Sequence, residues 1–258
     1  RRCRELSTRS RALPSSAKLN NDNMNETVVL IGDVHGHVAK LRSLWRELEV
    51  SLGIERFSRS RVLLLGDLCD RGPDTAGVLN FLSQDVPERF PEMQVRILAG
   101  NHDLGLVTFL NLIPIQGGDA PEGYDARRPE PPLWGDNDVG MHLQGRRWGA
   151  SPSPSTSTTN ENQVIVNAFE SETTFASYGV EPGDRDGLLA AMPDAHKKLL
   201  ESLEFIVELN DVTDDTHPEV RRLIAVHAGL ESTRSVDEQV ASLREKTVNE
   251  QWVEALQG

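Results

Sequence analysis

Thr27-Val28-Val29-Leu30-Ile31-Gly32-Asp33-Val34-His35-Gly36 decides how this chain is read. Its first half is a β-branched apolar run, the pattern of a buried strand. The run stops at Gly-Asp, and a histidine follows two residues later. The same texture recurs twice downstream. Arg61-Val62-Leu63-Leu64-Leu65 leads into Gly66-Asp67, and Val95–Ala99 leads into Gly100-Asn101-His102-Asp103. Between these runs lie amphipathic stretches. Val38, Leu41, Leu44, Trp45, Leu48 and Leu52 fall at helical spacing, as do Val78, Leu79 and Leu82 within about Asp74–Gln84. Strand, helix, strand, helix, strand predicts an α/β sheet.

Further from this centre the signals thin out. Residues 115–163 are crowded with Gly, Pro, Asp and Ser/Thr, and Ser151–Thr159 is of low complexity. They read as an insertion, or a long functional loop, within which Met141–Trp148 is the least loop-like stretch. Helical texture returns over Gly187–Leu209. Arg222–Val226 predicts a fourth strand ending in His227-Ala228-Gly229, and Ser235–Leu256 is amphipathic again.

Composition narrows the class. The chain has 258 residues, 38% hydrophobic and 26% charged, enough for a packed core. No apolar run approaches the roughly 18 residues of a membrane-spanning helix, so no membrane partner is expected. Net charge is −13, the wrong sign for gripping a nucleic-acid backbone. Residues 1–20 hold six basic residues and one acid, whereas the remainder holds 21 basic and 39 acidic. The reading is therefore a basic, disordered leader over 1–25 and an acidic body over 26–258. Two cysteines, Cys3 and Cys69, make no disulfide framework and point to a reducing compartment, cytoplasmic or nuclear. An organelle would follow only if the Arg/Ser-rich leader were a transit peptide.

Four strands thus end in Asp33-Val34-His35, Asp67 with Asp70-Arg71, Asn101-His102, and His227. Ligands of open α/β sheets sit at the carboxyl ends of strands. Asp, His and Asn without a thiolate cluster suit Mn, Fe, Zn or Mg. Asp33 and His35 alternate and share a side, while Gly32 and Gly36 let the backbone turn beneath an ion. Asp67 can bridge two ions, with Asn101 and His227 completing the second. Such a pair, about 3.5–4 Å apart, activates water and clamps a phosphoryl oxygen. Arg71 is the phosphate-binding candidate. His102 is the candidate general acid, and Asp70 its partner. A single Gly-Asp after a strand is ordinarily just a turn; four such junctions in order are what point to metal-dependent phosphoester hydrolysis. No dinucleotide fingerprint, phosphate loop or Cys-x5-Arg stretch competes, and Cys69 reads as a small buried residue beside the site.

Gly32–Gly36, Gly66–Gly72 and Gly100–Asp103 resemble the three signature motifs of the PPP-type metallophosphoesterases. Asp rather than Glu at 103, and His227-Ala228-Gly229, are similar to the bacterial-like branch. Met141–Trp148, Ser171–Val180, Pro193–Leu199 and Ile224–Glu231 resemble the plant Rhizobiales-like phosphatases, which act on phosphotyrosine. The resemblance covers about residues 26–245. It implies a calcineurin-like β-sandwich flanked by helices. It implies Asp33, His35 and Asp67 on one ion, with Asp67, Asn101 and His227 on the other. It also implies His102, Asp70 and Arg71 in catalysis, and a phosphotyrosine protein as substrate.

The family continues past His227 with a further metal-binding histidine, and His37, His142, His196 and His217 do not match that position. The expectation is a fold lacking its last strands, weak binding of the second ion and low phosphatase activity. Arg146 and Arg147 read either as substrate contacts or as partners of nearby acids such as Asp136 or Asp138. Ser151–Thr159 reads as plain flexible surface rather than a phosphorylated loop, and the 236–256 helix as core rather than a partner-binding element. Two rivals stay open. Bacterial diadenosine tetraphosphate hydrolases also carry His-Ala-Gly-Leu, and a truncated phosphoprotein-binding module needs no turnover.

Overall fold

In the computed structural model, residues 27–112, 145, 148–149, 169–210, 212 and 222–245 are described. The leader, nearly all of the 115–163 insertion, the Arg146-Arg147 pair and the end of the 236–256 helix lie outside the described residues.

Three short strands form a parallel sheet in the order β1 (Val28–Ile31), β2 (Arg61–Leu64), β3 (Gln94–Ile97). The crossovers are helical, as parallel pairing requires. The first carries α1 (Val38–Leu52) and α2 (Ile54–Ser58). The second carries α3 (Thr75–Asn80), a π-helical turn (Phe81–Asp85) and α4 (Val86–Arg89). The predicted helix over about Asp74–Gln84 is therefore longer and changes pitch midway. Asp74 caps it, accepting from Gly77 N at 2.7 Å.

The central strand β2 is buried along its whole length, which is why its sequence is a continuous apolar run rather than an alternating one. Val62 and Leu64 join the large cluster beneath the helices. Leu63 faces the other way, into a smaller cluster with Leu98, Val207, Leu209 and Ala225. The latter three belong to a second sheet, the antiparallel pair β4 (Val207–Leu209) and β5 (Leu223–Ala225). The two sheets face each other across this cluster, forming the expected sandwich with helices outside. Glu204 ties the layers. Its N–H donates to Ile97 O at 2.9 Å, its carbonyl accepts from Ala99 N at 2.8 Å, and its carboxylate pairs with Arg96.

Because Leu63 is filled against on both flanks, Leu63→Ala should cost about 2–5 kcal/mol of unfolding free energy. Urea denaturation checks this, and a loss below about 1 kcal/mol would show that the two sheets do not share a packed core.

One expectation is corrected. Gly187–Leu209 is not one helix. It divides into α7 (Arg185–Ala191), α8 (Asp194–Glu201) and strand β4. Pro193 ends α7's register, since the residue before proline avoids the helical region. Val207-Glu208-Leu209 then alternates buried, intermediate, buried, a strand period too short to stand out from the helical one before it. α5 (Asn101–Leu110), α6 (Glu172–Ser177) and α9 (Val236–Glu245) complete the described elements. α6 falls in a stretch for which periodicity made no prediction.

Candidate active site and metal centre

Three loops leave the carboxyl ends of β1, β2 and β3 and touch backbone to backbone. Val34 N and His35 N both donate to Asp67 O, at 3.0 and 2.8 Å, and Gly36 N donates to Leu68 O at 2.8 Å. A Cβ on Gly72 would stand 1.9 Å from His35 O, and one on Gly66 (φ +105°) would stand 2.5 Å from Gly100 N. Glycine is required at both places by contact. Gly36, at φ +63°, makes the turn expected of it, whereas Gly32 has open space and no positive φ. Asp103, wholly buried at the start of α5, accepts from Leu68 N at 2.9 Å and Gly100 N at 3.0 Å, so one carboxylate joins the second and third loops. Burial, then the charge of Asp67, pushes its carboxyl up to about 6 against the pull of those two N–H groups.

Four site residues sit in the left-handed backbone region without being glycine: His35 at φ 42°, Asp67 at 52°, Asp70 at 70° and Arg71 at 62°. Such concentrations of strain persist where the surroundings over-determine the conformation, typically at functional sites.

Asp67 is the hub. Its Oδ2 lies 3.5 Å from His35 Nε2 and 3.6 Å from His227 Nε2, while its other oxygen accepts the His102 backbone N–H at 3.1 Å. Each imidazole is oriented from behind. His35 Nδ1 bonds Cys69 O at 2.9 Å, and His227 Nδ1 bonds Leu65 O at 2.7 Å. A nitrogen facing a carbonyl carries the proton, so both Nε2 atoms present lone pairs to Asp67. Asp33, 55% exposed, reaches within 3.8 Å of His35 Nε2. Among the described residues, Asp33, Asp67 and His227 form one group with donor atoms within 4.8 Å of one another, and His35, Asp67 and His102 form another. Two neutral imidazoles and two carboxylates around one hub fit hard or borderline divalent cations. The two groups share only Asp67, whose Oδ2 faces both the His35 and the His227 imidazole. Asn101 opens α5 directly after Gly100, whose Cα packs on Asp67.

His102 and Asp70 form a buried dyad, 1% and 0% exposed, with Nδ1 2.8 Å from Oδ2. Two rings stand edge-on to His102, Phe169 at 5.1 Å and His35 at 4.7 Å. Arg71 is exposed, and its guanidinium donates to His35 Nε2 at 2.9 Å, which places it beside the cluster. Cys69 is buried as expected. Burial and the acids Asp70, Asp103 and Asp67 raise its thiol, which keeps it protonated and unreactive. Sequence reasoning missed Trp148 and Thr174, which both donate to Asp70, and the linking role of Asp103. Arg146 and Arg147, proposed as substrate contacts, lie outside the described residues.

A 124-residue stretch is 32% identical to a symmetrical bis(5'-nucleosyl)-tetraphosphatase of Edwardsiella ictaluri, covering 44% of this chain and 40% of that protein. A 78-residue stretch is 40% identical to a protein of the same name in Pectobacterium atrosepticum, covering 30% and 24%. The chain thus spans less than half the length of the curated relatives it matches. A solved structure with a provisional diadenosine tetraphosphatase assignment covers 83% of this chain and 55% of its own, at 18% identity and a TM-score of 0.39, too distant to bear on function. The sequence pattern described as calcineurin-like phosphoesterase matches residues 26–255, nearly the whole acidic body and every strand-end loop above. That match covers far more than half of the chain, and the chain belongs to the calcineurin-like phosphoesterases.

Proposed function

We propose that this protein hydrolyses phosphoric esters or anhydrides with divalent metal ions, and that its substrate is a dinucleoside polyphosphate. The observation that carries the hydrolase reading is Asp67 Oδ2 between two back-bonded imidazoles, with a buried His–Asp dyad one residue beyond Asn101. Divalent ions, if held there by Asp33, His35, Asp67 and His227, would supply an activated water and offset phosphoryl charge. His35 and His227 present fixed lone pairs, and Asp33 and Asp67 contribute negative charge. Arg71 holds phosphate oxygens. His102, its Nδ1 held by Asp70, has only Nε2 left to protonate the departing oxygen.

The dinucleotide is placed first because the curated relatives carry tetraphosphatase names. That demotes the phosphotyrosine protein expected from sequence to a second reading. It keeps one support: Trp148 and Thr174, which hold the dyad, come from two of the stretches that carry the resemblance to tyrosine-specific enzymes. The dyad can serve either substrate, but a tyrosyl oxygen leans on it more, because a phosphate leaves more readily without a proton.

A panel separates the readings. The protein with Mn2+ is given diadenosine tetraphosphate, a phosphotyrosine peptide and a phosphoserine peptide. The dinucleotide should lead by at least about tenfold in kcat/KM, a transition-state difference of about 1.4 kcal/mol. A phosphotyrosine lead installs the second reading. Tight binding without turnover of any of the three removes the hydrolase reading in favour of a binding module.

A further inference from the structure

Asp70 is wholly buried, yet three side-chain donors converge on its carboxylate. His102 Nδ1 and Trp148 Nε1 both reach Oδ2, at 2.8 and 2.6 Å, and the Thr174 hydroxyl reaches Oδ1 at 2.7 Å. Only the first belongs to the dyad. The other two come from 78 and 104 positions away along the chain. We propose that Trp148 and Thr174 are positioning residues for leaving-group protonation, fixing the plane of the Asp70 carboxylate so that Oδ2 stays aimed at His102. The assignment rests on the hydrolase reading above.

The carboxylate needs holding. The terminal torsion of Asp is broad and roughly two-fold, so packing alone leaves it free to swing. Asp70 is also on a strained left-handed residue, and its own N–H is accepted by Thr174 Oγ1 at 3.0 Å and, more weakly, Thr75 Oγ1 at 3.3 Å. Thr75 and Thr174 hydroxyls are 2.9 Å apart, so Thr174 grips both the backbone and the side chain of one residue.

Trp148 is held with equal firmness. Its ring is fully buried against Phe109 and Phe175, with centroids 5.3 and 5.2 Å away. Its carbonyl accepts from Ser171 Oγ at 2.5 Å. Gly105 of α5 packs directly on the indole, where a Cβ would come within 2.8 Å of Cδ1. The helix that carries His102 therefore touches the same ring that donates to Asp70. Indole, carboxylate and imidazole form one rigid chain, and orientation within about 10–20° is what a proton donor needs.

The test uses Trp148→Phe, which keeps the ring and deletes the donor, and Thr174→Val, which keeps the shape and deletes the hydroxyl, each verified as folded by thermal melting. Thr174→Ser restores the hydroxyl. Hydrolysis of phenyl phosphate and 4-nitrophenyl phosphate is measured with Mn2+. Phenolate needs its proton on leaving, whereas nitrophenolate departs more readily without one. Both deleted variants should lose about 10–100-fold in kcat on phenyl phosphate and clearly less on the nitrophenyl ester, with KM within about twofold of wild type. Thr174→Ser should recover most of the loss. If one variant fails to fold, the other decides. Equal losses on both esters, losses confined to KM, or no recovery with Ser would overturn the assignment while leaving the hydrolase reading intact. So would wild-type inactivity on both aryl esters. Inactivity extending to diadenosine tetraphosphate and the phosphotyrosine peptide would overturn the hydrolase reading itself.

Discussion

His102→Asn should lower kcat by about 10²–10⁴-fold, the range that a positioned proton donor contributes. The imidazole is 1% exposed and its Nδ1 is committed to a carboxylate that water does not reach, so no solvent molecule is placed to do the same work. Asparagine keeps a polar group of similar reach near Asp70 but cannot pass on a proton. Bound Mn2+ should change little, because the lone pairs that converge on Asp67 come from His35 and His227. The experiment therefore reads two quantities, turnover and metal content. A rate within about threefold of wild type would remove His102 from the chemistry. A large fall in metal content would instead make it a ligand, which its place within 4.8 Å of the His35 and Asp67 donor atoms makes worth checking.

Asp67→Asn should be as damaging by a different route. One oxygen of Asp67 faces both imidazole Nε2 atoms while the other accepts the His102 backbone N–H. Removing its charge weakens every cation held at the hub and loosens the start of α5 at once. Mn2+ affinity, followed by calorimetry, should fall by more than the roughly 10–100-fold typical when only a residue orienting a ligand is lost. Turnover should fall with it. An unchanged Mn2+ isotherm would show that the hub of the cluster lies elsewhere. Asparagine is nearly isosteric, and a melting curve recorded beside the isotherm separates lost metal binding from lost fold.

Much of this arrangement was legible because each part obeys a local rule. A buried strand followed by Gly-Asp, Gly-Asn or His can be found in a window of ten residues, and such windows supplied Asp33, His35, Asp67, Asn101 and His227. The physics that brings them together, parallel strands with loops at one end, is equally generic. What escaped was non-local. Trp148 and Thr174 meet Asp70 through side chains alone, and separations of 78 and 104 positions have no period to detect. The sequence traces were that Met141–Trp148 looks less like a loop than its surroundings, and that both residues fall in stretches that carry the family resemblance. β4 escaped for the opposite reason. Val207-Glu208-Leu209 is so short that its alternation was absorbed into the helical period of α8 before it. Spacing along the chain says which residues reach the centre, but not which oxygen of Asp67 each one faces; His35 and His227 both face Oδ2.

The left-handed conformations at His35, Asp67, Asp70 and Arg71 set thermal robustness against chemistry at the same four positions. Non-glycine residues held there cost of order 1–3 kcal/mol each. Glycine would relieve much of that cost, and at each position it would delete a side chain of the proposed metal centre, proton-donor dyad or phosphate contact. A library of variants sorted only for heat resistance would therefore drift toward a more heat-resistant scaffold with no hydrolysis in it. Turnover has to be part of the selection, because at these loops the fold gains by losing what the protein is for.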